Sequence, residues 1–275
     1  MKNIAYYNGI IRPIDEILIP LSDRSIFFGD AIYDAAVGRN GRVYKLNEHL
    51  DRLYGNLKKI GIVPYCNCEV LEETIKKMVG DFEGTFFLYI QMSRATQSRV
   101  HSATGASTSL LITVKEMALP PITKRLKLIT ADDLRYFYCD IKTTNLLPAV
   151  LAATDTELAG CDEAVFHRER TVTECAHSNI FILKSGILKT HPKSNRILPG
   201  ITREHTIKCA KNLGIPIEEV AFSVEEMLAA DEIFVTSTSK FCRSVSFIDG
   251  IPVGGHSPEL ASALCRAVYS DFENL

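Results

Sequence analysis

The chain has 275 residues, 31 basic and 33 acidic, for a formal net charge of −2. A hydrophobic fraction of 46% and a charged fraction of 23% are those of a globular chain; they exclude intrinsic disorder, and the balanced charge provides no footprint for nucleic acid. No uncharged apolar run approaches the roughly 18–20 residues of a membrane span, and Arg12 and Asp15 arrive before any long apolar core, so a cytoplasmic protein with no secretion signal and no membrane contact is expected.

Asn8-Gly9 separates two short apolar runs, and Asn40-Gly41 separates Ala36-Val37 from Val43-Tyr44. Both dipeptides suit the left-handed positions of a type I′ turn and predict β-hairpins. Leu46, Leu50, Leu53, Leu57 and Ile60 recur every three or four residues, predicting a helix over 47–60 with Gly61 as its C-cap. A weaker helical pattern covers 69–78. The β-rich runs 85–90 and 109–114 predict strands. Leu119-Pro120-Pro121 resists helix and sheet alike and is the best domain boundary, giving domains over 1–118 and 123–275 with 119–122 as linker. Beyond it come a strand over 126–129, a buried apolar helix over 145–159, and strands over 163–167, 179–184 and 231–236. A helix over 202–213 carries Ile207, Ala210 and Leu213 on one face, and a terminal helix covers 258–272. Hairpins mixed with helices, and no G-x-G-x-x-G after a strand, imply an α+β (mixed α/β) class rather than a doubly wound sheet.

Of the eight cysteines only Cys66 and Cys68 are close together, and C-x-C lacks the paired spacing of a zinc site. No metal site is expected, and the thiols are read as reduced and structural.

Several residues could carry chemistry. Lys142 stands just ahead of the apolar helix, where desolvation would lower its pKa and leave a nucleophilic amine; an exposed loop lysine is the alternative. Pro199-Gly200-Ile201-Thr202-Arg203 opens a helix whose free N–H groups, with the Thr202 hydroxyl, suit a phosphate; a plain N-cap explains Thr202 equally. Thr236-Ser237-Thr238-Ser239 ends a strand with four hydroxyls or forms an ordinary turn. Arg52, in a helix, is a bidentate anion partner or a solvated charge. Glu174, between two predicted strands, needs a cationic partner to stay ionised if it is buried, and none if it lies on the surface.

Six motifs in order resemble the fold-type IV pyridoxal-phosphate enzymes. They are Phe28-Gly29-Asp30-Ala31-Ile32-Tyr33-Asp34, His49-Leu50-Asp51-Arg52-Leu53, Lys142, Thr173-Glu174-x-x-x-Ser178-Asn179-Ile180-Phe181, Leu198-Pro199-Gly200-Ile201-Thr202-Arg203, and Asp231-Glu232-Ile233-Phe234-Val235-Thr236-Ser237-Thr238. The resemblance implies a small N-terminal α/β domain and a larger barrel-like C-terminal domain with helices, the latter carrying the Schiff-base lysine. It implies pyridoxal phosphate as cofactor and Lys142 as the residue that forms the covalent link and moves protons. Glu174 would face the pyridine nitrogen and be held ionised by it. Arg52, Ile201 (through its backbone), Thr202, Ser237 and Thr238 would hold the phosphate, and Arg135 would lie near the phenolic oxygen. Members of the class are homodimers.

Within the class, Cys139-Asp140-Ile141-Lys142-Thr143-Thr144-Asn145-Leu146-Leu147 and Arg99-Val100-His101 resemble the D-amino acid aminotransferases. Tyr33, Arg99 and His101 would then clamp the substrate carboxylate, with the Arg-x-His loop reaching in from the neighbouring subunit. The implied reaction is ping-pong transfer from a D-amino acid such as D-alanine to a 2-oxo acid such as 2-oxoglutarate. The alternatives are a branched-chain L-amino acid aminotransferase, an aminodeoxychorismate lyase, or a silent cofactor-binding protein. Three departures bear on the substrate: Asp34 where glutamate is usual, Pro148 in place of a small residue, and Cys175-Ala176-His177 where small residues are common.

Overall fold

The computed structural model describes residues 3–275. They form two compact units: one takes the chain up to Leu119 with Ile141–Asn145 and Leu275, the other Pro120–Asp140 with Leu146–Asn274. The segment bearing Lys142 therefore clusters with the first unit, whereas a simple cut at the prolines assigns it to the second.

The first unit is an antiparallel six-stranded sheet backed by helices. In chain order its elements are β1 (Asn3–Tyr7), β2 (Ile10–Pro13), α1 (Arg24–Phe28), β3 (Ala31–Arg39), β4 (Arg42–Val43), α2 (Leu46–Lys59), α3 (Cys68–Val79), β5 (Thr85–Arg94) and β6 (Thr108–Glu116). The strand order is β2-β1-β6-β5-β3-β4. Both hairpin turns form as predicted, with positive φ at Asn8 and Gly9 (46° and 95°) and at Asn40 and Gly41 (48° and 76°). Helix α2 ends in a Schellman motif: Gly61 has φ 67°, its N–H donates to Lys58 O at 3.2 Å, and the Ile62 N–H donates to Leu57 O at 3.0 Å. Leu50, Leu53 and Leu57 bury the apolar stripe of α2 against Ile32, Ala36, Leu88 and Ile90 of the sheet. Alternation along β3 then decides two functional positions. Asp34 lies on the core face opposite Ile90, while Tyr33 lies on the other face opposite Gln91.

The second unit carries a nine-stranded mixed sheet. Its elements are β7 (Leu126–Asp132), α4 (Leu147–Leu158), β8 (Glu163–Arg168), β9 (Thr171–Cys175), β10 (Asn179–Lys184), β11 (Ile187–Thr190), α5 (Ile201–Asn212), β12 (Ile217–Glu219), α6 (Val224–Leu228), β13 (Glu232–Ser237), β14 (Phe241–Ile248), β15 (Ile251–Pro252) and α7 (Pro258–Glu273). The order is β12-β11-β10-β13-β14-β7-β8-β9, with β15 on β14. Strand β9, at one end of that order, turns through Ala176–Ser178 into β10 near the other, so the sheet curls.

Three readings need correction here. Glu174 lies within a strand, β9, rather than between two. Helix α4 is buried on one face only: Ala152 and Thr156 lie inside, but Leu147, Val150 and Leu151 are 68%, 55% and 56% exposed, because an apolar run specifies a surface without specifying what covers it. In α5, Ile207 and Ala210 are buried, but Leu213 lies past the helix end and is exposed. No helix among the described residues is long and apolar enough to cross a membrane.

Candidate active site

In the first unit, Lys142 is brought to β3 by a short edge pairing. The Tyr33 N–H donates to Lys142 O at 3.0 Å and the Thr144 N–H to Ala31 O at 3.2 Å, while Thr143 bridges Ile32. Thr144 Oγ1 and Asn145 Nδ2 donate to Gly29 O at 3.0 and 3.1 Å. Gly29 has φ 60°, and a Cβ there would lie 2.6 Å from Asn145 Oδ1, so only glycine admits the lysine segment at this point. Lys142 Nζ donates to the Tyr33 hydroxyl at 3.3 Å and sits 4.4 Å from the Tyr33 ring centre. Tyr33 stacks in turn on Tyr89.

On the core face, Asp34 is fully buried and takes two bonds from Arg52, Nε to Oδ2 and Nη2 to Oδ1, both at 2.8 Å. His49 Nδ1 lies 2.7 Å from Asp34 Oδ1. Burial would raise the Asp34 carboxyl, but the Arg52 guanidinium and the His49 bond outweigh it and hold it well below the usual carboxylate range. Burial lowers His49 despite Asp34, so the imidazole is neutral near pH 7 and donates from Nδ1. The aspartate that replaces the usual glutamate is thus the residue that orients Arg52. His49 and Arg52 are three apart on one helix and share a face; that spacing was the available signal for His49, which stands in one of the motifs without a role assigned to it.

Arg99 and His101 lie on the segment between β5 and β6. The Arg99 guanidinium sits 5.8 and 5.6 Å from the Phe27 and Phe28 ring centres, and the His101 ring is 5.5 Å from that of Phe28. The structure brings these two together on the Phe28 ring, and Tyr33 together with Lys142.

In the second unit, Glu174 is buried on β9. Arg135 Nη1 donates to its Oε1, Asn179 Nδ2 donates to Oε2 at 2.9 Å, and the Leu198 N–H lies 3.1 and 3.0 Å from the two oxygens. Burial pushes the carboxyl up to about 7, and the attraction of Arg135 only partly offsets this. Arg135 is also claimed by Asp133, through Nε to Oδ1 at 2.8 Å and Nη2 to Oδ2 at 2.9 Å. Arg135 thus bridges two carboxylates, and its Nη2 also donates to Arg196 O at 3.2 Å.

Asn179 ties this acid to the next group. Its Nδ2 also donates to Leu198 O at 2.9 Å, and a Cβ on Gly200 would come within 2.1 Å of its Oδ1. That close approach requires glycine at the N-cap of α5, where no side chain caps the helix. The leading N–H groups, including those of Ile201 and Thr202, have no partner within the helix. Asn179 pairs in register with Thr236, whose buried Oγ1 has no hydrogen-bond partner. Ser237 and Thr238 follow directly, and Ser237 Oγ accepts the Lys240 N–H at 3.2 Å, so its own proton can serve another acceptor. Asn179 was quoted in a motif but was not singled out.

The other departures also find places. Pro148 occupies the first turn of α4, where its missing N–H is tolerated. His177 lies 3.1 Å from Lys240 Nζ and 3.3 Å from Glu163 Oε1.

These groups fit pyridoxal phosphate by their chemistry. An uncapped helix start beside hydroxyls, one of them an orphan, suits a phosphate. A buried acid titrating near neutrality suits a ring nitrogen, and an amine on a phenol suits an aldehyde.

Comparison with known proteins agrees. The family described as amino-transferase class IV matches residues 31–248. A D-alanine aminotransferase from Listeria monocytogenes is 35% identical over 246 residues, covering 87% of this chain and 85% of that protein. One from Bacillus licheniformis is 33% identical over 275 residues, covering 96% and 97%. A branched-chain amino acid aminotransferase from T.th., solved with pyridoxamine 5′-phosphate, superposes with a TM-score of 0.87 at 22% identity, covering 100% of this chain and 97% of that one.

Proposed function

The chain belongs to the class IV aminotransferase family and uses pyridoxal phosphate, and from that premise we propose that it transfers the amino group of a D-amino acid such as D-alanine to a 2-oxo acid such as 2-oxoglutarate by a ping-pong mechanism. The observation that carries the D-amino acid reading is the Arg99-x-His101 pair, a guanidinium and an imidazole gathered on the Phe28 ring. Identity of 33–35% to proteins named D-alanine aminotransferases supports it. The likeness to the branched-chain enzyme, at 22% identity, speaks to fold alone.

Bound pyridoxal phosphate supplies an aldehyde that takes up the amino group and a ring that draws electrons from the substrate's Cα. Lys142 would hold the cofactor through Nζ and would act as the base for the Cα proton. Tyr33 steadies that amine. Glu174 would serve the ring nitrogen, with Arg135, Asn179 and the Leu198 N–H fixing its carboxylate. Arg52, Thr202, Ser237, Thr238 and the Ile201 N–H would hold the phosphate. Tyr33, Arg99 and His101 bind the substrate carboxylate. The reading includes a homodimer in which a second copy supplies the Arg99 loop; the exposed Leu147, Val150 and Leu151 are apolar surface of the kind a partner covers.

Mixing the holoenzyme separately with D-alanine and L-leucine tests the chirality. D-Alanine should convert the cofactor absorption to that of its amine form, and L-leucine should not. A faster response to L-leucine would overturn the reading in favour of a branched-chain L-amino acid aminotransferase.

A further inference from the structure

Arg24 is almost wholly buried, and the proposed chemistry makes no use of it. A guanidinium out of water must be paired or be very costly. Its Nε donates to Asp30 Oδ2 at 2.8 Å, a carboxylate it shares with Arg94. The rest of the fork points at one stretch of backbone. Nη1 donates to Val100 O at 2.6 Å and reaches Ser102 O at 3.5 Å, and Nη2 donates to His101 O at 2.9 Å. Three successive carbonyls thus converge on a single side chain. The same guanidinium lies 4.5 Å from the Phe28 ring centre, the ring that also meets Arg99 and His101.

The carbonyls belong to an irregular stretch between β5 and β6, with no helix or sheet ladder to hold it. Arg24 itself stands on firm ground. The preceding residue, Asp23, caps α1 by accepting the Ser25 N–H at 2.9 Å. Asp23 Oδ2 accepts the hydroxyls of Ser93 on β5 and Ser109 on β6 at 3.0 and 3.2 Å. The two strands that launch the loop and the helix that grips it are therefore locked together beneath it.

We propose that Arg24, with the Phe28 ring beside it, is the positioning element of the substrate-carboxylate clamp. It fixes the peptide planes at Val100, His101 and Ser102, and so sets where the Arg99 guanidinium and the His101 imidazole stand, without touching substrate itself. This rests on the reading of Arg99 and His101 as carboxylate ligands. A lysine cannot substitute, because an ammonium lacks the planar fork that holds Asp30 and the carbonyls at once.

The test compares Arg24→Lys, Phe28→Leu and Arg99→Ala holoenzymes with D-alanine as donor. Arg24→Lys should raise the D-alanine KM by about tenfold or more, the scale of loss caused by a small misplacement of binding groups, with kcat changed far less and the cofactor absorption band unaltered. Combined with Arg99→Ala it should add little, since both changes disable one device. Should Arg24→Lys fail to fold, Phe28→Leu serves, with a KM increase of a few-fold on the same pattern. An Arg99→Ala variant with raised KM beside Arg24→Lys and Phe28→Leu variants with unchanged KM would overturn the positioning role alone. An unchanged KM in Arg99→Ala would remove the clamp reading and this proposal with it.

Discussion

Each unit buries a carboxylate against an arginine, and the two pairs behave in opposite ways. Asp34 takes the Nε and one Nη of Arg52, with the neutral His49 as second donor, and is held well below its ordinary range despite its burial. Glu174 shares Arg135 with Asp133 and is pushed up to about 7, burial being the main cause and the Asp133 charge adding to it. Asp133 takes the greater share of the guanidinium and is lowered to about 2 although burial opposes this. An arginine forked onto one acid makes a fixed ion pair, suited to aiming a cation. An arginine divided between two leaves the second acid near the point of titration, suited to holding a proton at a ring nitrogen.

The sharpest break in this comparison is Glu174→Gln. The amide keeps shape but cannot hold a charged ring nitrogen, so turnover should fall by roughly 10²–10⁴-fold while cofactor remains bound, read by steady-state rate and absorption together. Asp34→Asn should do the reverse, sparing saturated turnover more than stability. It leaves Arg52 without its buried counter-charge, and urea denaturation should show a loss of about 3 kcal/mol along with weaker cofactor binding.

The smallest effect lies in pH dependence. The folded value of Glu174 is above its ordinary 4.5, so the folded chain binds more protons than the unfolded one between pH 4.5 and about 7. Stability from this group is therefore present below that window and lost as pH rises through it, by about 3 kcal/mol at most. Urea midpoints of cofactor-free protein across the window should fall with pH, and Glu174→Gln should flatten the slope. Asp34 has the opposite sign: its contribution is present above pH 3.8 and is lost as pH falls below that value. An unchanged slope in Glu174→Gln would mean the two pairs do not differ as described.

Much of the scaffold was legible locally. Asn8-Gly9 and Asn40-Gly41 turn where their φ preferences allow, and the leucine stripe of α2 predicts both the helix and its buried face. The motifs carried the family and pointed to Lys142, Glu174 and Arg52. Less legible was which residues serve those three. Asp34 read as a mere departure until it was found beneath Arg52. Asn179 stood unremarked until its amide was seen to reach Glu174 and Leu198. Arg24 lay outside every sequence motif, and only the three carbonyls on its guanidinium single it out. Leu147 and Val150 show the converse failure, since apolar periodicity cannot say whether a face meets its own chain.

By itself, then, the sequence determined what short-range physics encodes: turn conformations, helix caps, amphipathic faces, and the order of motifs that identifies the family. The tertiary structure alone decided how Arg135 is divided between Asp133 and Glu174, how Gly29 admits Asn145, and which loop Arg24 grips. Those outcomes depend on distances between residues 39, 116 and 77 positions apart. Proton affinity and side-chain aim follow from burial and from such distances, and neither exists until the chain has folded.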